Sequence, residues 1–346
     1  MIEQLKIKNF GMHHQIYWNK LGKINLIIGE NSTGKTFLMK AMYTALKAME
    51  QYKKGQDNQS LSDILADKLY WTFQPDSLGE LVNKNYKEKL HFSMQAEGKK
   101  FEYSFGSDTV RKIIKLESAS QKNRSDNSVF IPAKEVLSLY QIILKSRDQD
   151  RAFGFDDTYV DLARALMMPG QQGNNYLRLS KSRDRLREMV NGKVELDSKT
   201  DRWYYYQGRN KYTIGETAEG IKKIAIFERL LVNRYISRNS IIFLDELESS
   251  LHPSAIVEFL DIIYNLAKGG VQFFIASHSY FIIKKLFLLA KKYHESIPVL
   301  SLSLNSEPVY EDLEMGMPDN SIIDAAVALY SAEVDMLTGD DDNGDS

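Results

Sequence analysis

The chain has 346 residues, 43% hydrophobic and 11% aromatic, with a net charge of −1 and no cysteine. That is enough apolar material for one large α/β domain with insertions, or for two domains. The charge balance excludes generic adhesion to nucleic acid, and the missing cysteines exclude disulfides, thiolate metal sites and a thiol nucleophile.

Leu5-Lys6-Ile7-Lys8-Asn9-Phe10 alternates apolar and polar residues and predicts a strand, with Gln15-Ile16-Tyr17-Trp18 as a pairing partner. The opening residues lack a signal-peptide core and no run approaches 18 apolar residues, so a cytoplasmic protein without membrane contact is the expectation. Ile24-Asn25-Leu26-Ile27-Ile28 predicts a short buried strand, and Phe37 to Met49 predicts a helix. Between them, Gly29-Glu30-Asn31-Ser32-Thr33-Gly34-Lys35-Thr36 matches the phosphate-binding pattern G-x-x-x-x-G-K-[ST] in full. Strand, loop and helix stand in the order the motif needs, and a chance match is roughly a one-in-a-hundred event. Gly29 and Gly34 let the backbone amides of Asn31, Ser32 and Thr33 turn toward phosphate oxygens at a helix N-terminus. Lys35 is placed for the β- and γ-phosphates and the Thr36 hydroxyl for Mg²⁺.

Residues 51–62 form a polar break, and 87–105 alternates again on either side of Glu97-Gly98, predicting a β-hairpin. A polar stretch at 118–128 precedes a strand, Ser128-Val129-Phe130-Ile131, ended by Pro132. Residues 135–192 read mostly as helix with a Pro-Gly-Gln-Gln-Gly break at 169–173, and Tyr204-Tyr205-Tyr206 and Tyr212-Thr213-Ile214 predict two short strands. Ile241-Ile242-Phe243-Leu244 then runs into Asp245-Glu246, the pattern of a central parallel strand with two acids at its C-terminal edge, where open α/β sheets bind ligands. In that position Asp245 holds Mg²⁺ through water, and Glu246 orients or deprotonates the attacking water. A third apolar run, Val271 to Ala276, ends in Ser277-His278-Ser279 and brings His278 within reach of a γ-phosphate. Val299-Leu300-Ser301-Leu302 predicts a final strand and Ser321 to Met336 a helix, and the acidic tail at 338–346 is expected to be disordered. There is no internal repeat or long heptad run.

These segments together resemble the ABC-type ATPases, specifically the RecF/SMC-like branch, and most of all the stand-alone relatives of overcoming-lysogenization-defect (OLD) proteins found in anti-phage systems. The resemblance is carried by Leu5 to Gly11, by Ile24 to Asn31, by Leu244-Asp245-Glu246-Leu247-Glu248-Ser249-Ser250-Leu251-His252-Pro253 and by Ile275-Ala276-Ser277-His278-Ser279. Phe130-Ile131-Pro132-Ala133-Lys134 resembles the strand entering the Q-loop, for which Lys134, Glu135, Gln141 and Gln74 are all candidates. It implies an α/β fold: a P-loop ABC-ATPase head with a mixed central sheet, an antiparallel β lobe and an inserted helical lobe. The implied organisation is one ATPase domain over 1–337, with a nucleotide core at 1–50 and 201–305, inserted lobes at 51–200 and a C-terminal helix at 320–337.

The same resemblance implies ATP as the nucleotide and a homodimer or higher oligomer, closed by a signature motif that completes the partner's site. The matching stretch is Glu216 to Lys223, where Thr217 and Gly220 are the nucleotide-contacting candidates. The usual serine is Ala218, and Glu219 sets a carboxylate nearby; a plain helix start capped by Thr217 is the structural alternative. The segment after His278 is too short for the nuclease domain of OLD proteins, so any nuclease or toxin output is expected from a separately encoded effector. DNA contact through Arg178, Lys181, Arg183, Arg185 and Arg187 stands beside a solvated charged face as a reading of the helical insertion. Three functions compete: an ATP-driven switch, an ATP-held scaffold with little turnover, or a repair-type ATPase acting on DNA ends; a transporter subunit fits the signature poorly.

Overall fold

The computed structural model describes residues 1–55, 59–118, 124–171, 177–304 and 306–339. In chain order come β1 (Ile2–Phe10), β2 (His13–Asn19), β3 (Ile24–Gly29), α1 (Lys35–Gln51) and α2 (Leu61–Phe73). Next are β4 (Leu90–Ala96), β5 (Lys99–Phe105), β6 (Lys115–Ser118), β7 (Ser128–Ile131), α3 (Tyr140–Asp148), α4 (Asp157–Met167) and α5 (Leu177–Val190). Then follow β8 (Lys193–Asp197), β9 (Arg202–Gln207), β10 (Asn210–Thr213), α6 (Glu219–Val232), β11 (Ile241–Asp245) and α7 (Pro253–Lys268). The chain closes with β12 (Gln272–Ser277), α8 (Tyr280–Tyr293), β13 (Pro298–Leu302), β14 (Val309–Asp312) and α9 (Ser321–Gly339).

The apolar runs assemble as a six-stranded mixed sheet in the order β14-β13-β3-β12-β11-β7, parallel except for β14. Because strand side chains alternate, this sheet is apolar on both faces. Leu26, Ile28, Leu244, Phe273 and Ile275 pack with α4, α6, α7 and α8, whereas Ile27, Phe243, Phe274 and Leu300 pack with α1 and the antiparallel sheet. Phe243 stacks between Phe130 and Phe274 at centroid distances of 6.0 and 5.2 Å, and Tyr43 of α1 meets Phe130 and Phe243 edge-on. Each such buried ring contributes about 1.5–3 kcal/mol, so the position of α1 over the sheet is strongly fixed.

A five-stranded antiparallel sheet, β2-β1-β4-β5-β6, covers the outer side of α1, and a small sheet, β10-β9-β8, leads into α6. The hairpin between β4 and β5 turns through Glu97 and Gly98, both at positive φ. Helices α2, α7 and α8 and strands β6, β8 and β14 are additions to the sequence reading, and the C-terminal helix runs on to Gly339. The tail beyond it, at 340–346, lies outside the described residues. Among the described residues no helix is long and apolar enough to cross a membrane.

Parallel register decides what meets at one sheet edge. Ile28 pairs with Ser277 and Asp245 with Ala276, so β3, β11 and β12 end side by side.

Candidate nucleotide site

The loop after β3 is shaped by two glycines. Gly29 has φ 149°, and a Cβ there would lie 2.2 Å from the Leu302 carbonyl at the end of β13. Gly34 has φ 86°, and a Cβ there would run into Met12 and the His13 ring at 2.5 and 2.7 Å. His13 Nε2 donates to the Gly34 carbonyl at 3.1 Å, and burial lowers the affinity of its imidazole for a second proton. Ser32 also sits at positive φ, and Thr33 Oγ1 donates to Glu30 O at 2.9 Å. Lys35 Nζ donates to the carbonyls of Gly29 and Glu30, both at 2.7 Å, so the loop curls around its own ammonium. Burial lowers the pKa of Lys35, opposed by Glu246, Asp245 and Glu248. Helix α1 begins at this point with no acidic residue in its first turn, leaving the amide dipoles free for an anion.

The second half of the site is acidic. Thr36 Oγ1 donates to both carboxylate oxygens of Asp245, at 2.9 and 3.0 Å. Asp245 is buried, and its carboxyl is pushed up to about 6 by burial, against the Thr36 hydrogen bond and with the help of Glu246. Glu246 takes a left-handed backbone, φ 46°, and its amide bonds Ala276 O at 3.1 Å. That turn aims its carboxylate at His278, whose Nδ1 lies 4.0 Å from Glu246 Oε1. Strained backbone of this kind is typical of residues held for a purpose.

Glu248 was not singled out by sequence reasoning, yet it organises this corner. Its Oε1 accepts from Ser277 Oγ at 2.7 Å and from the His278 amide at 2.8 Å, and it faces His278 Nδ1 at 3.4 Å. Lys223 on α6 is a second unanticipated member. Its ammonium donates to Pro132 O at 2.6 Å and Ala133 O at 3.1 Å, and burial pulls it down to about 8 against Asp245, Glu219, Glu248 and Glu246. A cavity of about 780 Å³ adjoins the loop, lined by Met12, His13, Thr33, Asn83, Tyr86 and Leu302 among others.

A family model described as "AAA domain, putative AbiEii toxin, Type IV TA system" (AAA_21) matches residues 24–284, which hold the phosphate loop, the acidic pair and His278. The chain belongs to this family. Over 142 residues this AAA_21 protein is 28% identical to the uncharacterized protein MJECL10 of Methanocaldococcus jannaschii, covering 38% of this chain and 62% of that one. Over 99 residues it is 30% identical to the DNA replication and repair protein RecF of Bacillus cytotoxicus, covering 29% of this chain and 24% of RecF. It thus spans less than two thirds of either relative. The crystal structure of an SMC head bound to the C-winged helix domain of ScpA superposes on 91% of this chain and 98% of its own, with a TM-score of 0.54 at 11% identity. The fold is that of an ABC-type ATPase head of the RecF/SMC-like branch.

The remaining candidates of this AAA_21 protein fall as follows. Helix α6 starts at Glu219 with Ala218 at the N-cap and no side chain capping it, so Thr217 is one residue too early to be the cap. The Thr217 residue is buried and its hydroxyl donates to Thr213 O at 3.1 Å. Gly220 backs onto the Ser250 carbonyl, where a Cβ would sit at 3.1 Å. Gln141 bonds Asp201, and Gln74, at the end of α2, accepts from Gly154 N. In the basic run of α5, Arg183, Arg185 and Arg187 each face a carboxylate, of Asp184, Glu258 and Glu228 respectively.

Proposed function

We propose that this chain is a Mg²⁺-dependent ATP hydrolase that pairs with a second copy around nucleotide and gates a separately encoded effector of the nuclease or toxin class in anti-phage defence. The observation that carries the reading is the convergence of Lys35, Thr36, Asp245, Glu246 and His278 on the adjacent ends of β3, β11 and β12. In it, Lys35 exchanges the carbonyls of Gly29 and Glu30 for β- and γ-phosphate oxygens, and the loop amides of Asn31, Ser32 and Thr33 surround the phosphates. Thr36 and Asp245 are the oxygen donors suited to Mg²⁺, which when bound supplies charge neutralisation. Glu246 orients the attacking water, and His278, held by Glu248, contacts the γ-phosphate side of that water. The cavity beside Met12 and His13 takes the base and ribose.

The effector half of the proposal rests on the family description and on α9. That helix exposes Leu329, Tyr330, Met336 and Leu337, each at least two-thirds exposed, and Ser321 at its start donates to Glu30 Oε1 of the phosphate loop at 3.1 Å. An uncovered apolar helix tied to the nucleotide loop suits a surface that a second protein reads. The scaffold reading draws on Ala218, which presents no hydroxyl across the pair. A single ATPase domain over 1–337 is part of the same proposal.

The deciding measurement is ATP turnover together with mass in solution, for the natural chain and Glu246→Gln, with and without Mg-ATP. Turnover that the variant loses while a larger species accumulates supports the switch. Absence of both turnover and any nucleotide-dependent mass change sinks it and leaves the scaffold.

A further inference from the structure

A second polar cleft, of about 550 Å³, opens between α2, α3, α4 and the loop carrying Arg111, and it shares no lining residue with the nucleotide cradle. Its construction is unusual for a solvated surface. Tyr70 and Trp71, neighbours on α2, each carry a guanidinium on the ring face: Arg111 lies 3.6 Å from the Tyr70 centroid and Arg147 lies 4.0 Å from that of Trp71. Stacking holds a guanidinium by its plane; Arg147 spends its edge on Asp157 and the Phe155 carbonyl, whereas Arg111 keeps its N–H donors for an oxyanion.

The charges do not cancel. Lys68, Arg111, Arg147, Arg151 and Arg164 line the cleft against Asp67, Asp148 and Asp157. Arg164 pairs with Asp148, Lys68 and Arg147 share Asp157, and Lys68 is also held by Asp161, so the unpaired positive charge sits on Arg111 and Arg151. Among the described residues no carboxylate pairs with Arg151, and the Nε of Arg147 is buried without a partner.

We propose that this cleft binds a compact phosphate-bearing ligand of nucleotide size, with Arg111 and Arg151 as its recognition groups and Arg147 packed beside them. The volume lies within the range that encloses small ligands. A long phosphate backbone is disfavoured because Asp67 and Asp148 line the same cleft and would face the next phosphates along a strand. The site is also wired to the phosphate loop. Asp157 holds Arg147 and Lys68 in the cleft, while Asp156 beside it caps α4 and accepts from Lys40 Nζ at 2.6 Å, one turn beyond Thr36 on α1. A ligand that draws Arg147 from Asp157 therefore acts on the same end of α4 that buttresses α1. That regulatory consequence rests on the ATPase reading above; the binding itself does not.

The test keeps the two apart by working in Lys35→Ala protein, where the phosphate loop has lost its ammonium. ADP and inorganic pyrophosphate are titrated by calorimetry and by the emission of Trp71, which is half-buried while Trp18 and Trp203 are fully buried. Saturable binding is expected, weakened at least about tenfold, or about 1.4 kcal/mol, when Arg111→Ala and Arg151→Ala are added. Both arginines are exposed, so the melting temperature should stay put, and Arg151→Lys should recover part of the loss. Absence of binding in Lys35→Ala protein, binding indifferent to the arginine changes, or tighter and equally arginine-dependent binding of a single-stranded oligonucleotide would each overturn the proposal. Failure of the natural chain to hydrolyse ATP would leave these results standing and remove only the link to turnover.

Discussion

Thr36 Oγ1 sits 2.9 and 3.0 Å from the two carboxylate oxygens of Asp245, a contact between residues 209 apart in the chain. It closes the nucleotide cradle from the acidic side and marks where a cation would enter. It also keeps a carboxylate in a buried position where its charge is costly.

That cost predicts a pH dependence. The Asp245 carboxyl is raised to about 6 from an ordinary 3.8, so between about pH 4 and 6 the native state holds a proton that the unfolded chain has released. Stability therefore falls as pH rises through that window, by at most about 3 kcal/mol. Asp245→Asn should abolish the slope, leaving the metal-free, nucleotide-free protein up to about 3 kcal/mol more stable than the natural chain at pH 7 and close to it near pH 4. Urea unfolding at the two pH values, with a chelator present, reads this directly. A variant less stable at pH 7 would show that the Thr36 hydrogen bond outweighs the burial of charge.

The contrast between what the sequence displayed and what it concealed follows from distance along the chain. Gly29 to Thr36 is a local motif whose φ demands select glycine, and the run Ile241 to Asp245 is apolar because both sheet faces are covered, so each could be read in place. Helix α2 was also legible in principle: Leu61, Ile64, Leu65 and Leu69 keep helical spacing, and the Ser60 side chain accepts from the Asp63 amide as an N-cap. It was obscured by the polar residues just before it. Strands β6 and β8 alternate over only four or five residues and remain largely exposed, too little signal for periodicity to register. Glu248, Lys223 and the arginine cleft had no local signal, since each takes its meaning from partners 29 to 91 residues away in sequence.

Glu248 offers a sharper test of the catalytic corner. It binds Ser277 Oγ and the His278 amide and faces the imidazole, so under the proposed ATPase reading its effect on turnover would run through His278. Glu248→Gln keeps the size and removes the charge, and turnover should drop by about tenfold with little change in nucleotide affinity. His278→Ala combined with Glu248→Gln should be no slower than His278→Ala alone, because the two residues work as one unit. Rate losses that multiplied in the double variant would show that Glu248 has a role of its own.

Ala218 separates the stability of the signature helix from its use across a pair of subunits. It occupies the N-cap of α6 at φ −58° and ψ 142°, an extended geometry that a serine adopts readily, and no side chain serves the first amides of the helix. Ala218→Ser should therefore stabilise the isolated chain by about 0.5–1 kcal/mol through a new cap, whatever the function. If a second copy presents this helix to the γ-phosphate, the same hydroxyl also adds a donor at the site of developing charge, and turnover should rise several-fold at high protein concentration. The concentration dependence distinguishes the two effects, since a cap acts in the monomer and a partner's donor only in the pair. A stability gain without any change in turnover would place α6 outside the reacting interface, and the low-turnover scaffold would then be the better account of Ala218.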